Sequence, residues 1–421
     1  MEAVDMMSER HSGPSGSFRR LTRDLLGRAL PDEPTGELDN RAKMIADEVK
    51  KARLRDGLAS GVEEQSLGGP QLPGRFAFNA GMAGPVVGAL VGLLLLPYSS
   101  VAALIAAAIG SGVASLALYG GLLRRKQLTG VVEGALQITP DTLHAIDPGN
   151  KKKDGALLHY LEARRDSEDL VILLHGLGLD ASDFRTYLAE TKYHAVALTL
   201  YGFNVDEKDD EDYSPISLKS HARLFALALK ELQTKHPGKR LSLVGFSVGA
   251  DIILMLSDLA GDVLLGLDFH RVLLLDPNVN AKTTTISTRM AGMNREQPLE
   301  QLLEVLNAAE GIDDLVYRCE YVVKTAQKDI AQIQRHASEI SSFWRSDPGT
   351  DLFIKSMTKL GKLASDIYVI FSLGQKELLE GLQDRAGECG LGRENFRWAA
   401  SGHFQLLDPS FLRRQLDLLL R

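Results

Sequence analysis

The sequence predicts an α/β protein with a mostly parallel sheet covered by helices on both faces. Three observations carry that reading. First, short apolar runs recur at residues 170–174, 194–200, 240–244, 271–275, 367–371 and 396–400. Runs of this length that are apolar throughout, not alternating, fit strands buried on both faces. Second, stretches with helical periodicity fall between them, at residues 182–190, 216–234 and 248–259, and residues 411–420 form a closing helix. Alternation of the two kinds implies parallel βα units. Third, residues 128–146 and 155–164 read as two opening strands that form a hairpin ahead of this series.

Composition is compatible with that class. The chain has 421 residues, a length for two to three domains, and is 44% hydrophobic and 24% charged, which is ordinary for a globular protein. The net charge of -7 argues against a nucleic-acid binder, which would show a basic bias. Cys319 and Cys389 lack metal-ligand spacing and the density of a disulfide framework, so two buried thiols in a reducing compartment are expected. No cofactor and no metal are expected.

The N-terminal part differs. Met1 to Arg28 mix charge with Ser and Gly and offer no apolar core for a cleaved export signal. Residues 1–75 read as a flexible region carrying a short amphipathic helix at 37–58. Residues 76–123 then contain no charged side chain, a run of 48. Two membrane helices need about 20 residues each. The run is interrupted at Pro97, Tyr98, Ser99 and Ser100, which reads as a turn. Gly84, Gly88 and Gly92 fall on one helical face, as do Gly110 and Ala114, and such faces let membrane helices approach closely. A transmembrane helical hairpin over 76–127 is therefore expected. Lys50, Lys51, Arg53, Arg55 and Arg75 precede it, and Arg124, Arg125 and Lys126 follow it. Positive charge at both ends predicts a cytoplasmic location for both, and so for residues 128–421.

The chemistry-bearing residues lie in residues 128–421. Gly245-Phe246-Ser247-Val248-Gly249 follows a strand and opens an apolar helix. A tight strand-to-helix turn needs small flanking residues and lifts the serine hydroxyl clear of the sheet, as a nucleophile requires. A serine also needs a base. Of ten histidines, His403 is the candidate, after the last strand in Ser401-Gly402-His403-Phe404. His175, at the end of the 170–174 strand in His175-Gly176-Leu177-Gly178, is expected to brace its loop and not to act as the base. Two carboxylates could orient His403. Glu377 follows the 367–371 strand, and Asp276 ends the 271–275 strand.

These motifs resemble the α/β-hydrolase superfamily from about Leu128 to Arg421. The resemblance implies an α/β-hydrolase fold, a Ser-acid-His triad in that chain order, and an acyl-enzyme on Ser247. It also implies an oxyanion hole from the backbone N–H groups of Leu177 and Val248. In the superfamily the acid usually follows the strand that here is 367–371, which ranks Glu377 ahead of Asp276. The commoner residue type is Asp, which speaks for Asp276. Residues 278–365 sit where the superfamily often carries a helical lid. Amphipathic stretches at 298–306 and 315–333, with Leu352, Ile354, Met357 and Leu360, form apolar faces. If they face the site they favour a hydrophobic acyl group.

The expected function is a membrane-associated serine hydrolase, a carboxylesterase or lipase acting on an acyl ester of lipid type. A thioesterase or peptidase with a soluble substrate stays open. So does a membrane-inserting effector whose hydrolase domain is regulatory. The sequence names no protein partner.

Overall fold

The computed structural model describes residues 43, 130–150, 152–207, 214–259, 266–294, 305 and 312–420. The predicted hairpin at 76–127, the helix at 37–58 apart from Lys43, and most of the 298–306 stretch lie outside them. Among the described residues no helix is long and apolar enough to cross a membrane.

Eight strands form one sheet: β1 (Val131–Ile138), β2 (Ala156–Ala163), β3 (Asp169–Leu174), β4 (His194–Leu198), β5 (Arg240–Phe246), β6 (Arg271–Leu275), β7 (Ile367–Phe371) and β8 (Phe396–Trp398). Their spatial order is β1-β2-β4-β3-β5-β6-β7-β8. Every pairing from β4 through β8 is parallel, whereas β2 runs antiparallel to β4. Parallel neighbours bring all the chain crossovers over the faces, which is why β3 is buried along its whole length.

The helices are α1 (Pro140–Ile146), α2 (Arg185–Glu190), α3 (Leu218–Lys235), α4 (Val248–Leu256), α5 (Thr285–Ala291), α6 (Ile312–Ala326), α7 (Ile330–Arg345), α8 (Asp351–Leu360), α9 (Lys376–Asp384) and α10 (Pro409–Leu419). Helix α1 corrects the reading of 128–146 as one strand. Thr139 caps it, accepting the Thr142 N–H, and Pro140 takes the first turn, where its missing N–H costs nothing. The chain thus leaves β1, makes two turns of helix and returns as β2.

Helices α5 to α8 occupy the described part of the segment between β6 and β7. Helix α5 packs on α7, and α8 packs on α4. Ile354, Met357 and Leu360 are buried, so this apolar face belongs to the core and not to a substrate path. Cys389 is buried, but Cys319 is only partly so; both are unpaired.

Candidate active site

The site begins at the end of β5. Ser247 has φ 52° and ψ -120°, a backbone conformation that costs a non-glycine residue about 1–3 kcal/mol. Its surroundings hold it there. The Ser247 N–H donates to the Leu275 carbonyl at 2.8 Å, and its own carbonyl accepts from Ala250 at 2.8 Å and Asp251 at 3.2 Å. The flanking glycines are sterically required. A Cβ on Gly249 would stand 2.4 Å from the Leu174 carbonyl oxygen, and one on Gly245 would stand 2.7 Å from the Ala250 backbone. Helix α4 starts at Val248, so its positive end lies beside the serine.

His175 occupies the end of β3. It is fully buried, with Nε2 accepting the Leu200 N–H at 3.0 Å. That bond leaves the proton on Nδ1, which donates to the Gly176 carbonyl at 2.7 Å. Burial pulls the imidazole down to about 4, so it stays neutral. Both nitrogens serve the loop, as expected for a brace. Gly176 lies against Ser247, since a Cβ on it would come within 3.3 Å of the Ser247 Cβ. The next residue, Leu177, therefore stands next to the serine. Among the described residues, neither the Leu177 nor the Val248 N–H is taken up by a loop or turn carbonyl.

The structure joins His403 to Asp276. His403 Nδ1 is 2.5 Å from Asp276 Oδ2. Asp276 follows β6 directly with φ 48°, still tied to β7 through its N–H to the Ile370 carbonyl at 2.8 Å. Ser372, at the end of β7, donates to both carboxylate oxygens: its N–H to Oδ1 at 2.8 Å and its Oγ to Oδ2 at 2.7 Å. The His403 ring is flanked by Phe246 and Phe404, with centroids 4.7 and 5.0 Å away.

Glu377, ranked first on loop position, is exposed in the first turn of α9 and is not the carboxylate that meets His403. The reason is reach. Ser372 turns the end of β7 toward Asp276, and the chain then enters a short 3-10 turn and α9, which carries Glu377 to the rim. Ser247, His403, Asp276, Leu177 and Glu377 all line one cavity of about 490 Å³. The insertion contributes Ile286, Arg289, Arg318 and Tyr321 to its wall, a surface of mixed polarity.

Three supporting features carried no distinct sequence signal. Asp251, one turn into α4, is buried and accepts from Asn278 Nδ2 at 2.6 Å and from Trp344 Nε1 of α7 at 3.1 Å. Burial pushes its carboxyl up to about 8, against the lowering pull of those two bonds. Lys328, buried between α6 and α7, pairs with Asp180, just past the Leu177 loop, and Lys324 pairs with Asp183 at 2.6 Å. Ser372 is the third: a serine five residues before Glu377 has no spacing that marks it as the partner of Asp276.

The alpha/beta hydrolase family profile matches residues 171–413. No curated protein sequence matches the chain. Among solved structures, the chain is similar to a bacterial membrane phospholipase A, with 15% identity over 79% of this chain and 97% of that one, at a TM-score of 0.46. It is similar to 1H-3-hydroxy-4-oxoquinoline 2,4-dioxygenase, with 16% identity over 68% and 100% and a TM-score of 0.48. A thermophilic esterase from Thermogutta terrifontis gives 15% identity over 68% and 97%, with a TM-score of 0.45.

Proposed function

The chain belongs to the alpha/beta hydrolase family, and from that premise we propose that it is a membrane-associated serine hydrolase of carboxylic esters. The observation that carries the reading is the 2.5 Å contact of His403 Nδ1 with Asp276, in one cavity with a strained Ser247. With Nδ1 held by the carboxylate, Nε2 is the nitrogen left to take the serine proton. Ser247 Oγ attacks the ester carbonyl as His403 accepts that proton. The tetrahedral oxyanion is received by the N–H groups of Leu177 and Val248, helped by the positive end of α4. His403 returns the proton to the leaving alcohol, and an acyl-serine remains. Water, deprotonated by His403, then releases the acid. Asp276 keeps the imidazole oriented and stabilises its charged form, and Ser372 orients Asp276.

Membrane association and a lipid-like ester rest on the sequence: the uncharged run at 76–123 flanked by basic residues on both sides. Such a segment keeps the catalytic domain on the cytoplasmic face, close to esters dissolved in the bilayer. The test combines a fluorophosphonate probe with vesicles. The probe should label Ser247, and full-length protein should float with lipid vesicles and cleave long-chain esters within them. Labelling elsewhere sinks the serine mechanism. Cleavage of short-chain soluble esters alone, with vesicles present, sinks the lipid reading.

A further inference from the structure

A second polar cluster lies at the opposite edge of the sheet, and the chemistry above makes no use of it. Glu162 is the next-to-last residue of β2, His194 opens β4, and His236 follows α3 just before β5. Antiparallel pairing sets Glu162 opposite Val196, two residues beyond His194. His194 Nε2 is 2.9 Å and His236 Nε2 3.1 Å from the same oxygen, Glu162 Oε1. The three ligand atoms all lie within 4.8 Å of one another. Ser247 follows the other end of β5, about 20 Å away at 3.3 Å per residue.

The contacts are poor for an ordinary ion-pair network. His236 Nε2 is buried and has no hydrogen-bond partner, although Oε1 stands only 3.1 Å away, so the ring nitrogen is aimed past that oxygen. A buried imidazole nitrogen left without a partner is costly and calls for a ligand. Glu162 is wholly buried, yet its other oxygen has Arg164 Nε at 3.0 Å, from a side chain that is largely exposed.

We propose that Glu162, His194 and His236 hold a zinc ion. Two imidazoles and one carboxylate are a known zinc ligand set, with bonds of about 2.0–2.2 Å. In a tetrahedron of such bonds, ligand atoms stand about 3.3 Å apart. The two contacts to Oε1 fall a few tenths of an ångström short of that. His236, the part-exposed member at a helix end, is the one able to turn. Arg164 Nε stands 3.0 Å from the carboxylate oxygen that does not face the metal, an ion pair outside hydrogen-bond geometry. A shallow basin of about 500 Å³ over His194 and His236 gives an entry path. Its rim is basic. Arg165 and Lys235 donate to neutral oxygens, the Thr191 carbonyl at 3.0 Å and the Tyr160 hydroxyl at 2.5 Å, and Lys239 donates to the Ser167 carbonyl. Those cations repel a bound metal as well, and they favour an anion in the open fourth position, which offsets that repulsion. The ion would tie β2, β4 and the end of α3 together through its three protein ligands.

The test uses the full-length protein, stripped with chelator, equilibrated with zinc sulfate and desalted. One equivalent of zinc should remain by elemental analysis, and the Tm should rise by a few degrees over the stripped sample. His236→Gln and His194→Gln should each lose at least tenfold in zinc affinity and abolish the Tm rise. Ester hydrolysis should change less than twofold on stripping, so failure here is separable from failure of the serine mechanism. Less than a tenth of an equivalent bound by the unsubstituted protein overturns the proposal, whether or not a variant folds. Undiminished zinc in the His236→Gln protein overturns it too, because the metal is then held elsewhere.

Discussion

The two edges of this sheet each bring a carboxylate against an imidazole, and they differ in what stands next to the pair. At the edge where the parallel strands end, Asp276 and His403 meet beside a serine in a strained turn, with Ser372 holding the carboxylate. At the edge where they begin, Glu162 meets two imidazoles, and among the described residues the surrounding groups are arginines and lysines with no nucleophile. The chemistry of an Asp-His or Glu-His pair is thus set by the third group. In the reading proposed above, a serine makes the pair a proton relay, and a second histidine makes it a cation trap. The sheet supplies both because loops gather only at strand ends.

The contrast breaks first at the serine. Ser247→Ala should lower the kcat for ester hydrolysis by about 10⁵–10⁶-fold with the Tm nearly unchanged; a residual rate within a hundredfold of the parent would move the nucleophile elsewhere. Next comes the carboxylate. Asp276→Asn should cost about 10⁴-fold in kcat, while Glu377→Gln should stay within about twofold, because its side chain is exposed at the rim. The reverse pattern in steady-state kinetics would give the role to Glu377.

Stability separates the edges by pH. His175 is held neutral, with its value lowered from about 6.5 to about 4, so the stability it contributes is full above pH 6.5 and is lost as pH falls toward 4. Glu162 is pushed up by burial but pulled down further by His194 and Arg164, to about 2, so its contribution is full above pH 4.5 and fades only toward pH 2. Hydrogen exchange at pH 5 should therefore show amides near Leu200 opening before those of β2. Glu162→Gln should cost about 3 kcal/mol in chemical denaturation, the effect of breaking a buried ion pair, and leave kcat/KM within twofold. A smaller effect than at Asp276 is expected from Ser372→Ala, which removes one hydrogen bond to that carboxylate and should cost about 1–1.5 kcal/mol, near tenfold in kcat.

Local signals predicted much of this molecule. Strand length, glycine spacing and the helix after Ser247 are decided within ten residues, so seven of the eight strands and the elbow could be read from neighbours alone. Helix α1 has its signal too, in Thr139-Pro140, which ends the strand at Ile138 and opens the helix. What could not be read were meetings across the sheet. Asp276 and His403 are 127 positions apart, and the outcome between Asp276 and Glu377 depends on how Ser372 turns a chain end. The same holds for Glu162, His194 and His236, which share no spacing that a motif would show.

The pairing of Lys328 with Asp180 has a consequence for how this chain can vary. An insertion between two strands is commonly treated as a replaceable module. Here part of its attachment to the scaffold is a buried cation, Lys328, that pairs with an aspartate three residues past Leu177. Trimming or exchanging residues 278–365 would leave the half-buried Asp180 without the Lys328 ammonium beside the Leu177 loop. The insertion and that loop must therefore change together, and a graft that keeps one without the other disables the pair.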